Sequence, residues 1–171
     1  MSLPIHLEVI QAKRRSEGGG GGGGAWYDAA LYADSDGSGS TDPTWVQWSA
    51  VTLVAGTATK LRVGTKDYQL PNYITLGLYN NSGTLLGQTA STQITADGVH
   101  EIDLISSVSV SAASYYVAQT SAVSNQHKIA VKSATGHRYR GNTSSSYTLP
   151  SSLPSSIYDD GYSYCMGVWV E

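Results

Sequence analysis

The chain has 171 residues, enough for one folded domain of about 140 residues beyond a short N-terminal segment. Only 13% of residues are charged and the formal net charge is −3, so no broad positive field exists for a phosphate backbone, which excludes a nucleic-acid partner. Apolar stretches fall far short of the ~20 residues that span a bilayer, the N-terminus does not read as a secretory signal, and the lone Cys165 closes no intramolecular disulfide.

Residues 1–17 read as an extended arm. Ile5, Leu7 and Val9 alternate with His6, Glu8 and Ile10, a strand period, and the basic cluster Lys13, Arg14 and Arg15 follows. A lone strand has unpaired edges, so this arm is expected to add itself to the edge of another sheet, with main-chain hydrogen bonds giving affinity and alternate side chains giving specificity. The other reading makes it the first strand of the domain's own sheet, or a frayed end. Residues 18–24, a glycine run through Gly18, Gly21 and Gly24, form a tether whose random-coil reach is roughly 14 Å.

Residues 25–171 form the domain, and period two runs through nearly all of it. "AWYDAALYA" starts a strand and "DSDGSGSTDP" reads as a turn-rich loop. "WVQWSAVTLV", "TATKLRVGT" and "YITLGLY" are strand-length runs of β-branched and aromatic residues. Asn80 to Gly83 tolerate positive φ, so "YITLGLY" and "TLLGQT" are expected to form a hairpin, and Ala96 to Gly98 mark a second turn. In "VHEIDL", Val99, Ile102 and Leu104 break strict alternation, as a bulge does; Val108, Val110, Tyr115 and Val117 are inward candidates in the next stretch. "HKIAVKS" is another strand and "YSYCMGVWVE" the closing one, while "GHRYRGNTSSSYTLP" and "SIYDDGYSY" read as long loops. The expected fold is all-β, an antiparallel β-sandwich.

Chemistry is sparse. No G-x-S-x-G elbow occurs, and His6, His100, His127 and His137 lie in separate segments without metal-ligand spacing, so neither an enzyme nor a zinc site is expected. Asp34, Asp36 and Ser38 alternate as hard-cation ligands do, a weak calcium candidate, since the twelfth position from Asp34 is Trp45 and not a bidentate Glu. Otherwise no cofactor is expected. Twelve Tyr and four Trp with no Phe place aromatic rings with polar tips at wet surfaces or contacts. Arg138, Tyr139, Asn142, Tyr147, Tyr158, Asp159 and Tyr162 are candidate glycan contacts, because exposed rings stack on pyranose faces while polar neighbours fix hydroxyls.

The succession "ATKLRVGT", "YITLGLYNNSGTLLGQT" and "GVHEIDLISSVSVSAASYYVAQTS", closed by "TLPSSLPSSIYDDGYSYCMGVWVE", resembles a jelly-roll domain of bacteriophage virion proteins and bacterial surface proteins. The resemblance covers about residues 45–171 and excludes the arm and glycines. It implies a jelly-roll architecture at a virion surface, as a capsid decoration or a tail or fibre component, and transfers no active site. The expectation is a non-enzymatic virion structural protein, oligomeric in the assembly, whose arm docks on other virion subunits of the same or an unlike kind. The alternative is a carbohydrate-binding module for host attachment through a surface glycan.

Overall fold

The computed structural model describes residues 23–142, 147–156 and 158–171. Ile5, Leu7, Val9, Lys13, Arg14 and Arg15 of the arm, and Gly18 and Gly21 of the tether, lie outside the described residues. Twelve strands follow one another among the described residues. They are β1 (Ala25–Asp28), β2 (Gly37–Gly39), β3 (Trp45–Leu53), β4 (Gly56–Lys66), β5 (Asn72–Asn80), β6 (Leu85–Gln88), β7 (Thr92–Ile94), β8 (Gly98–Val110), β9 (Ala113–Ser121), β10 (Lys128–Asn142), β11 (Tyr158–Tyr164) and β12 (Met166–Val170). No helix among the described residues is long and apolar enough to cross a membrane.

Every strand pairing is antiparallel, and the strands build two sheets packed as a sandwich, the expected all-β fold. One sheet runs β1-β12-β4-β8 and the other β10-β3-β9-β5-β6, with β7 beside β5. Strand β10 joins them. Its Lys128 and Ile129 pair with Lys66 and Thr65 of β4, and beyond a break in register between Ser133 and Arg138 its far end pairs with β3.

Alternation decides what faces inward. Leu61 and Val63 of β4, Ile74, Leu76 and Leu78 of β5, Val117 of β9 and Val168 of β12 meet in the core between the sheets. Each such side chain contributes roughly 1.5–3 kcal/mol through burial. Strand β3 departs from simple alternation, because Val46 and Trp48 on its outer side are buried as well. The segment carrying Leu149 and Leu153 folds over that side and forms a second cluster with Val46, Trp48, Tyr79 and Ala118. Without Phe, the buried rings beside Trp48 include tyrosines, whose hydroxyls need partners. Tyr79 Oη donates to Pro150 O at 2.8 Å, Tyr164 Oη accepts from Gln47 Nε2 at 2.9 Å, and Tyr115 Oη accepts from Ser111 N at 3.0 Å.

The "NNSG" hairpin forms as expected. Gly83 adopts φ +80°, its N–H donates to Asn80 O at 2.9 Å, and β5 pairs with β6. Several boundaries differ from expectation. "VHEIDL" and "VSV" belong to the one strand β8, with Val99 exposed and Leu104 buried, so alternation holds from Val99 through Leu104. The bulge comes later, between the pairs Lys60–Asp103 and Ala58–Val108. The stretch expected to be a loop after Asp34 contains β2, held by β10. The late stretches expected as loops are largely strand: "RYRGN" ends β10 and "YDDGYSY" is β11, each paired to the other. The closing segment divides at Cys165, where the chain passes from β10 to β4 as Cys165 N donates to Ala130 O and Cys165 O accepts from Gly64 N.

Near the start of β5 and the end of β9 the interior turns polar. Asn72 Oδ1 accepts from Tyr73 N at 2.8 Å and Val123 N at 3.1 Å, which fixes Asn72 Nδ2 toward Ser121 Oγ, Val123 O and, at 3.2 Å, His127 Nδ1. The Nδ1 of His127 therefore accepts, and its proton sits on Nε2, which is buried without a hydrogen-bond partner among the described residues. Burial, with a smaller repulsion from His100, lowers the imidazole pKa to about 4. His100, whose Nε2 lies 2.9 Å from Thr65 Oγ1, is also lowered by burial.

An unfolded chain takes up a proton at such a histidine near 6.5 while the folded chain resists until about 4, so stability is complete above that window and falls as pH drops through it. Thermal unfolding of the wild type is expected to weaken steadily across that window, by on the order of 3 kcal/mol from His127 alone. The His127→Gln chain is expected to respond less. A wild-type chain of constant stability there would contradict a neutral buried imidazole.

Candidate binding cleft

The outer face of the β1-β12-β4-β8 sheet carries a cleft of about 490 Å³ whose lining includes Trp26, Asp28, Tyr32, Arg62, Glu101 and Trp169. That volume falls within the range of small-ligand sites. Strand register creates it. Asp28, Gly167, Arg62 and Glu101 lie in one row across the four strands, and Trp26 and Trp169 pair in the next row. Period two then turns all of these side chains away from the core, while Leu61, Val63 and Val168 between them point inward.

Arg62 organises the row. Its Nε donates to Asp28 Oδ1 at 2.8 Å and its Nη2 to Asp28 Oδ2 at 2.5 Å, a bidentate pair in which the side chains keep only 20% and 11% exposure. Its Nη1 lies 3.6 Å from Glu101 Oε1, and its guanidinium carbon stands 4.3 Å from the centre of the Trp26 ring. The pair exists because residue 167 is glycine. A Cβ there would lie 2.9 Å from Asp28 Cγ and 3.0 Å from Tyr27 O, in the space through which Asp28 reaches across β12.

The aromatic rings rest on backbone in the same way. Trp26 and Trp169 stand 5.6 Å apart and tilted by 59°. A Cβ on Gly24 would meet the Trp169 ring at 2.6 Å, and one on Gly64 would meet Tyr32 Cδ2 at 2.5 Å. Gly24, the last tether residue, is thus part of the cleft. The Trp169 indole N–H donates to Glu171 Oε1 at 3.3 Å. Tyr32 lies in a short 3-10 turn, Tyr32–Asp34, with Lys66 Nζ 5.9 Å from its ring centre, and burial raises its hydroxyl pKa. Cys165 also lines the cleft, but burial pushes its thiol up to about 12, so it stays protonated and unreactive.

The residues singled out from sequence are placed elsewhere. Tyr139 is in β10, stacked on Trp48 at 5.7 Å and edge-on to Tyr116 at 6.2 Å. Tyr147 adopts φ +57°, donates its N–H to Pro43 O and contacts Ser91 through its hydroxyl. Asn142 ends β10 opposite Trp45, and Tyr162 is an exposed residue of β11. The side chains of Arg138, Tyr158 and Asp159 lie outside the described part, although their backbones pair across β10 and β11. The calcium candidates diverge. Asp36 accepts from Ser133 and Lys132, with Ser133 chiefly holding its carboxyl down at about 2, whereas Ser38 donates to Asp67. Among the described residues no group of three or more His, Cys, Asp or Glu gathers in a metal-binding arrangement.

No family model matches the chain, and no similar curated protein was found. The cleft escaped sequence reading because its lining residues come from both ends and the middle of the chain. The available signal was the outward phase of Trp169 between inward Val168 and Val170.

Gly167→Ala is expected to lower stability by roughly 1–3 kcal/mol through overpacking and loss of the ion pair. Chemical denaturation tests this. The cost is expected to shrink in an Asp28→Ala background, where the opposing carboxylate is gone, and an equal cost in both backgrounds would contradict the steric account.

Proposed function

We propose that this chain is a non-enzymatic structural protein of a bacteriophage particle, a jelly-roll domain displayed at the surface and anchored by its N-terminal arm. The observation that carries the reading is where the tether meets the domain. Gly24 leads directly into β1, which ends the sheet and, among the described residues, pairs with β12 alone. An arm entering an edge strand leaves the rest of the sandwich undistorted when it is engaged by a neighbour. Load on the arm passes into four backbone pairs with β12 and into the Asp28–Arg62 ion pair.

The composition of the arm fits the same role. Ile5, Leu7 and Val9 offer alternate apolar side chains to a sheet edge, and Lys13, Arg14 and Arg15 offer charge to an acidic surface. The glycine tether absorbs differences in spacing between subunits. The resemblance of residues 45–171 to virion jelly rolls supports the setting, as a capsid decoration or a tail or fibre component.

Native mass spectrometry of the full chain beside a chain lacking residues 1–22, at matched micromolar concentration, tests the anchor. The full chain is expected to associate and the truncated chain to be monomeric. An oligomer of unchanged stoichiometry after truncation would contradict anchoring by the arm, and two monomers would restrict its docking to an unlike subunit.

A further inference from the structure

We infer that the outer-face cleft is a binding site for a neutral oligosaccharide, with Trp26 and Trp169 as the stacking surface and Asp28, Arg62 and Glu101 as the hydroxyl-fixing groups. The inference does not depend on the arm or on the virion setting. It rests on what the rings and charges of this face can still accept.

A sugar presents a face of C–H groups and a rim of hydroxyls that both donate and accept. Matching it needs an aromatic surface with planar donors and acceptors at its margin. Here two indoles lie one strand row away from a guanidinium bracketed by two carboxylates. The bidentate pair holds Arg62 and Asp28 in place before any ligand arrives, which lowers the ordering cost of binding. Glu101, with 48% of its side chain exposed, keeps acceptor capacity toward solvent.

Other ligand classes fit less well. An anion would meet two carboxylates against one guanidinium that is already engaged. A quaternary ammonium would be repelled by the cations already beside these rings, Arg62 4.3 Å from the Trp26 ring centre and Lys66 5.9 Å from that of Tyr32. A purely apolar ligand would bury the charged row without partners for its remaining lone pairs. A neutral sugar leaves the Asp28–Arg62 pair intact and hydrogen-bonds first to Glu101, the more exposed of the two carboxylates.

The test is nitrogen-15 NMR of the full chain, following the four tryptophan indole signals. Maltotriose, cellotriose, chitotriose and mannotriose are titrated separately, with choline and 3′-sialyllactose as charged comparisons. At least one neutral trisaccharide is expected to move the Trp26 and Trp169 signals saturably, with a dissociation constant of about 1 mM or tighter, and to leave Trp45 and Trp48 in place. Trp169→Ala is expected to weaken that binding at least about tenfold, a loss of roughly 1.4 kcal/mol. Because Trp169 packs on Trp26, Glu101→Gln at the exposed rim serves as the second variant, expected to weaken binding several-fold while leaving the fold unchanged. No saturable shift with any of the four sugars, a shift with choline or sialyllactose alone, or binding unaffected by both substitutions would overturn the assignment.

Discussion

The missing side chain at position 167 is the constraint on which the outer face depends. Only a glycine at the second position of β12 lets Asp28 reach across that strand to Arg62, so β1 is attached by an ion pair as well as by its four backbone pairs. The attachment sets the register that brings Trp26 beside Trp169, and it places Gly24 against the Trp169 ring. An exposed ion pair would contribute little, because water and salt would screen it. This one is bidentate and mostly withdrawn from solvent, so losing one partner leaves the other charge poorly compensated.

Two kinds of interior hold the sandwich together. Between the sheets the contacts are largely aliphatic, and burial supplies the stabilisation. Toward the start of β5 and the end of β9 the interior becomes a hydrogen-bonded network around Asn72 and His127, where an unpaired Nε2 is tolerated as long as the ring is neutral. Gln47 makes a second buried polar group, donating from Nε2 to Ser40 O and Tyr164 Oη while Gln119 Nε2 donates to its Oε1. Buried polar groups of this kind fix strand register, since a shift of one residue would strand each donor.

The fold was legible because strand period and turn chemistry act locally. Asn80 to Gly83 specify a hairpin, and the alternation in β4 and β5 marks the inward residues, without reference to the rest of the chain. Arg138 to Asn142 and Tyr158 to Tyr164 look loop-like by composition, rich in Gly, Asp and charged residues, yet both are strand, the first paired with β3 and the second with β10. Tertiary pairing there overrides weak local propensity. The cleft was not legible for a similar reason. Trp26, Arg62, Glu101 and Trp169 share a surface only through the register of four strands, and no linear spacing encodes that register. Tyr139, prominent in sequence, instead stacks on Trp48 beneath the covering segment.

The proposed function divides labour along the chain: the arm and tether serve attachment, while the sandwich presents a preformed outer face beside Gly24 and the edge strand β1. The claim that this face is built around Asp28 and Arg62 is tested most directly by a double-mutant cycle. Unfolding free energies of the wild type, Asp28→Asn, Arg62→Gln and the double variant give the coupling between the two side chains. The account predicts a coupling of about 1–3 kcal/mol, as for a charge-assisted, partly buried pair. Additive effects, with a coupling within about 0.3 kcal/mol of zero, would show that β1 is held by its backbone alone and would contradict the central role given to Gly167.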